Sequence, residues 1–173
     1  MKKKPVQPSK KGLYFAIAIG IVIIGLVIGV SYYIEQAKIA GQRFGNNLEQ
    51  IQSDLKKEIS DYESKLTIWQ ERGLTKQVML QISENHLAEL EKIVERYDKL
   101  APPQAFASSV ELFKRSTQTQ IESDKLLKKW IETGDNSIKI RSDEILQQSF
   151  EYETSALASY NKAKMAIHNK LFN

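Results

Sequence analysis

Residues 44–75 read FGNNLEQIQSDLKKEISDYESKLTIWQERGLT. Phe44, Leu48, Ile51, Leu55, Ile59, Tyr62, Leu66 and Trp69 recur at intervals of three and four, close to the turn of an α-helix, and no proline interrupts them. The spacing predicts one long helix over 36–72 with a single apolar stripe, which needs a partner to bury it. Gly73 suits the left-handed position after a helix end, which would set Leu74 against Trp69. Thr75 then has the side chain to cap a second helix. The stretch reads as a helix, a turn and the start of another helix.

The chain downstream repeats this logic. Met79, Ile82, His86, Leu90, Ile93, Tyr97 and Leu100 mark a second helix over 75–100, which Pro102 and Pro103 end. Proline is tolerated in a first turn, so a third helix is expected over 103–133, carrying Phe106, Val110, Phe113, Ile121, Leu127 and Ile131 and stopped by Gly134. Asp135, Asn136 and Ser137 supply turn and cap residues for a fourth helix over 137–171. Its stripe is read as Leu146, Phe150, Glu153, Leu157, Tyr160, Lys164, Ile167 and Leu171. Short connections make consecutive helices antiparallel neighbours. The expected fold is all-α: an up-down-up-down four-helix bundle over 35–173 with coiled-coil-like packing, its first and fourth helices longer than the other two.

The segment before the bundle has a different composition. From Gly12 to Ile34, GLYFAIAIGIVIIGLVIGVSYYI runs 23 residues without a charge, enough to cross a hydrocarbon core of about 30 Å as a helix. Residues 1–11 form a basic tail containing Lys2, Lys3, Lys4, Lys10 and Lys11 and no acid, which by the positive-inside bias puts the N-terminus in the cytoplasm and the bundle outside. A cleaved signal peptide shares the basic start, and Gly29-Val30-Ser31 offers small residues for cleavage. The apolar run is longer than a signal core, however, and Tyr32-Tyr33 suits an interfacial anchor, so an uncleaved signal-anchor is expected. Within it Gly25 and Gly29, and Ala16 and Gly20, are spaced to let two membrane helices approach.

Placing the charges removes a nucleic-acid reading. The net charge of +4 comes from the tail, because residues 35–173 hold 20 basic and 21 acidic side chains. The chain has no cysteine, which excludes disulfides and thiolate chemistry. A di-metal carboxylate bundle needs Glu-x-x-His on two helices. Here Glu84 precedes His86 by two, Met165 stands three before His168, and there is no third histidine. Residues 135–144 lack the glycine and ligand spacing of a calcium loop, and neither a nucleophile elbow nor a phosphate loop occurs. No cofactor, metal or enzymatic activity is expected.

One cluster stands apart. His86 occupies the apolar side of the second helix, and Thr117, Gln120 and Asp124 interrupt the stripe of the third. Counting away from each turn sets His86 level with Asp61 or Tyr62 and with Thr117, and Thr117 level with Glu153. His86, Thr117, Gln120 and Glu153 thus form a candidate buried polar layer, with His86 expected against Glu153. Such a layer either satisfies its own groups and sets helix register or serves as a small-ligand or proton-sensitive site between the helices.

YDKLAPPQAF, residues 97–106, followed by a long Ser/Thr/Gln-rich helix and a Thr-Gly-Asp turn at 133–135, resembles uncharacterised archaeal membrane-anchored helical-bundle proteins. The resemblance covers about residues 75–165 and implies no activity. The layout is also similar to the extracytoplasmic four-helix sensor modules of chemoreceptors, although no second span follows the fourth helix in this sequence. Together these features predict a single-pass membrane protein acting as an extracytoplasmic interaction or structural module, with a protein partner or self-association. The alternative is a small-ligand-binding or sensing subunit working with a separate membrane partner.

Overall fold

The computed structural model describes residues 35–172. Their regular structure is all helical: α1 (Glu35–Gln70), α2 (Lys76–Asp98), a 3-10 turn (Gln104–Phe106), α3 (Ala107–Thr133) and α4 (Asn136–Phe172). The expected membrane helix over 12–34, with Ala16, Gly20, Gly25 and Gly29, lies outside the described residues. No helix among the described residues is long and apolar enough to cross a membrane.

The helix ends follow local chemistry. Thr75, in extended backbone, accepts a hydrogen bond from the Val78 N–H at 3.3 Å, satisfying one of the donors that a helix start leaves free. Asp135 does the same for Ser137 at 2.9 Å, and that hydrogen bonding holds its carboxyl below the usual aspartate range. Gly134 ends α3 in the left-handed conformation, φ 74°, with its N–H on the Trp130 carbonyl.

The end of α1 corrects the expectation for Gly73. The left-handed residue is Arg72, φ 66°, whose N–H bonds the Trp69 carbonyl while the Gly73 N–H bonds that of Ile68. This is the paired hydrogen bonding of a Schellman ending, set one residue earlier than predicted. Gly73 is needed for space: a β-carbon there would lie 2.7 Å from Ile68 Cγ2 and 3.2 Å from its carbonyl oxygen. The predicted start of the third helix also moves. Pro103 leads into the 3-10 turn, and α3 begins only at Ala107.

Consecutive helices are neighbours, and their side chains pair in opposite senses along the chain. Gln52 meets Tyr97 and Tyr62 meets Ser83 across α1 and α2, while Asp98 meets Lys114 and Glu84 meets Lys128 across α2 and α3. The turns after α1 and α3 lie at one end, termed the far end; the connection after α2 lies at the near end. No Cα atom of α1 comes within 8 Å of one in α4 among the described residues. At the near end the Phe106 ring fills the space between them, 5.6 Å from Phe44 and 4.8 Å from Tyr160 between centroids. The main core gathers Phe44, Leu48 and Ile51 of α1, Leu90, Ile93 and Tyr97 of α2, Phe113 of α3 and Ala156 of α4 around it. At the far end a second cluster contains only α1, α2 and α3 residues, among them Tyr62, Met79, Leu127 and Ile131, and Trp69 meets Trp130 edge to face at 5.5 Å.

The contact of α3 with α4 has a different character. Ser109, Ser116 and Ser123 of α3 and Ser142, Ser149, Ala156 and Ala163 of α4 are all buried and recur every seven residues. Ser116 Oγ donates to the Ser149 carbonyl at 2.9 Å and Ser149 Oγ to the Ser116 carbonyl at 3.0 Å; Ser123 and Ser142 exchange the same bonds at 2.8 and 2.9 Å. A short side chain reaches a carbonyl of the opposite helix only when the two backbones lie close, and only small residues permit that approach. The stripe predicted for the fourth helix holds at Tyr160, which is buried in the main core, but the seam with α3 falls on other residues. Leu146, Phe150 and Leu157 flank the seam half-buried, while the small residues occupy its centre.

Candidate functional site

His86 lies in the middle of α2 on the face that Met79, Leu90 and Ile93 also use, and is 2% exposed. Both of its ring nitrogens meet carboxylates from different helices. Nδ1 is 2.8 Å from Glu58 Oε1 on α1, and Nε2 is 3.2 Å from Asp124 Oδ2 on α3. A neutral imidazole has one N–H and one lone pair, so it can serve only one carboxylate; an imidazolium donates to both. Burial disfavours that charge, but the hydrogen bonds and charges of Asp124 and then Glu58 outweigh it and hold the His86 pKa above its ordinary value.

Polar neighbours complete the layer. Gln120 Nε2 donates to Asp124 Oδ2 at 2.9 Å from one turn away on α3. The Tyr62 ring stacks on the imidazole with centroids 4.0 Å apart and planes 3° from parallel, an arrangement that favours a cationic ring. Ser83 donates to the Met79 carbonyl at 2.9 Å, leaving its oxygen to accept from the Tyr62 hydroxyl at 3.0 Å. Burial pushes the Tyr62 pKa up to about 12, so this hydroxyl remains a donor throughout the neutral range. Among the described residues, no buried side-chain nitrogen or oxygen lacks a hydrogen-bond partner.

The four predicted layer residues divide between two levels. His86 and Gln120 belong to the layer just described. Thr117 and Glu153 belong to another, nearer the near end, where Gln52 Nε2 donates to the Tyr97 hydroxyl at 2.6 Å and Thr117 also bonds that hydroxyl. The Glu153 carboxylate acts on Tyr97, and its own pKa is raised by burial. His86 is therefore not paired with Glu153. The reason is register: α2 and α3 are offset along their axes so that Asp98 meets Lys114 and Glu84 meets Lys128, and with that offset Asp124 faces His86 instead of Thr117. Seven residues of helix separate those positions, about 10 Å along the axis. Across the next turn, the pairing of Ser116 with Ser149 shifts Glu153 further from His86.

Counting from the turns identified Tyr62 as level with His86, and the interrupted stripe of the third helix included Asp124. Glu58 was missed. It stands one helical turn before Tyr62, a spacing that puts both on one face and could have marked it. The two carboxylates lie on opposite edges of the ring, so the three groups converge on the imidazole and not on a common point. Among the described residues no cluster of His, Asp and Glu could hold a metal ion. Chemically, the arrangement offers a protonated His86 one carboxylate acceptor for each ring N–H while the ring itself is buried.

Comparison of the chain with protein-family models, curated proteins and solved structures finds no match.

Proposed function

We propose that the chain is a single-pass, membrane-anchored protein whose up-down-up-down bundle stands outside the cytoplasm as a non-catalytic interaction or structural module. The observation that carries this reading is the use of the interior polar groups on one another. His86 bonds Glu58 and Asp124, Gln120 donates to Asp124, and these bonds tie three helices at one register. A layer of this kind specifies a rigid shape. Helix lengths support the same reading: Gln52 already meets Tyr97 near the end of α2, so the earlier part of α1 reaches beyond α2 at the near end. By the Ser116–Ser149 pairing, α4 after about residue 158 reaches beyond the start of α3 at that same end. The apolar run 12–34 stops immediately before α1, so the near end would face the bilayer and the turns after α1 and α3 would project away from it.

Because the chain lacks cysteine, a single cysteine replacing exposed Lys92 reports topology directly. Labelling by a membrane-impermeant maleimide in intact cells is expected; labelling only after lysis reverses the orientation. Chemical crosslinking in native membranes is expected to trap a stoichiometric protein partner or a second copy. If the chain crosslinks to nothing and instead gains thermal stability with a small molecule, the sensing alternative replaces this reading.

A further inference from the structure

Three features of the far end bear on one another. The imidazole of His86 bonds carboxylates on both other helices, Glu58 of α1 and Asp124 of α3, and so ties the three helices at its level. The far half of α1 has no backbone approach to α4, because α4 is drawn against the other side of α3 by Ser123 and Ser142. Of the two acids, Asp124 has a second donor in Gln120, whereas Glu58 is 28% exposed and sits beside water.

We propose that the His86 layer is a proton-operated latch: the imidazolium clamps the far half of α1 onto α2 and α3, and loss of its proton on the alkaline side releases that half. Once neutral, His86 keeps one N–H and turns a lone pair toward one of two carboxylates. Asp124 retains Gln120 and is the more deeply buried, so Glu58 is the group that leaves for solvent. Loss of the proton also ends the stacking of a cation on Tyr62, and the departure of Glu58 loosens Leu66 and Trp69 behind it on α1.

Among the other groups facing the layer, Glu63 acts in the same direction. From α1, Glu63 adds a further acid whose pKa is raised by desolvation and by the charge of Asp124 and lowered by His86. It therefore repels the layer more strongly once the imidazolium is gone. From α2 itself, Ser83 is neutral, and from α3 Gln120 is neutral and Asp124 is the anchored acid. The sign follows from the raised His86 pKa: the contribution to folding is fully present below the unfolded imidazole value of about 6.5 and is lost as pH rises through the folded value. The latch depends only on these residues and holds whether or not the chain is anchored.

Trp69 and Trp130 are the only tryptophans in the chain, and their edge-to-face contact spans the far end of α1 and α3. Their fluorescence and near-ultraviolet circular dichroism therefore report the latch. The full chain in mild detergent is titrated from pH 5.5 to 9.5, with the imidazole followed by NMR and its signal separated from His168 by His168→Gln. His86 is expected to titrate above 6.5, and the tryptophan signal and the hydrogen-exchange protection of residues 58–70 to change with the same midpoint. Residues 116–149, across the serine seam, should keep their protection. Glu58→Gln should lower the His86 midpoint by about one pH unit, the effect of removing a neighbouring opposite charge. His86→Gln, where it folds, should leave the tryptophan signal flat over this range. A His86 midpoint below 6.5, a tryptophan signal that ignores the titration, or an unchanged midpoint in Glu58→Gln overturns the proposal.

Discussion

Replacing Ser149 by leucine tests the close seam between α3 and α4 most directly, because the two ways of reading that contact predict effects of opposite sign. Ser149 is 3% exposed, donates to the Ser116 carbonyl at 3.0 Å and faces the Ser116 hydroxyl at 3.3 Å. Leucine removes the hydrogen bond, worth about 1 kcal/mol. It also forces branched carbon into a gap sized for a hydroxymethyl group, and overpacking of this kind costs about 1–3 kcal/mol. Leucine's better helix propensity returns only a few tenths. The net expectation is a loss of roughly 2–4 kcal/mol, or on the order of 5–15 °C in melting temperature for a domain of this size. Urea unfolding of the full chain in mild detergent, followed by far-ultraviolet circular dichroism, measures it. Ser149→Ala should lose only about 0.5 kcal/mol, since a hydrogen bond disappears but alanine favours the helix and fits the gap. Glu151→Leu, on the exposed side of α4, should change stability by less than about 0.5 kcal/mol. At an ordinary helix contact with backbones further apart, Ser149→Leu would fill space and stabilise the fold. A neutral or stabilising Ser149→Leu therefore refutes the close seam.

Three further substitutions have outcomes set by local geometry. Gly134→Ala should cost about 1 kcal/mol through backbone strain alone, because φ is positive and nothing lies within 4 Å of the added carbon. At the other turn Arg72→Gly should stabilise by up to about 1 kcal/mol, since Arg72 holds the left-handed conformation; a loss of stability there would place the strain elsewhere. Glu153→Gln should raise the melting temperature at pH 7. Burial lifts the Glu153 pKa, so its contribution is most favourable below the ordinary value of 4.5 and is lost as pH rises through the folded one; the advantage of glutamine must vanish in acid.

The helices themselves were legible because their signals are local. The stripe from Phe44 to Trp69, the Thr75 cap, the paired prolines and Gly134 each act within a few residues of where they stand, and the observed boundaries fall within four residues of the expected ones. The burial of His86 followed from its place in the α2 stripe for the same reason. Its partners did not. Whether His86 meets Thr117 or Asp124 depends on how far α2 and α3 are offset along their axes across the 99–106 connection, and one offset moves every contact between them together. The α3–α4 seam was hidden by chemistry that reads as surface: serine is polar in a one-dimensional pattern, and its burial becomes favourable only when a second backbone comes close enough to accept its hydroxyl. Periodicity is a property of one helix, whereas register and interhelical distance belong to pairs, and those were decided where Ser116 met Ser149 and His86 met two acids.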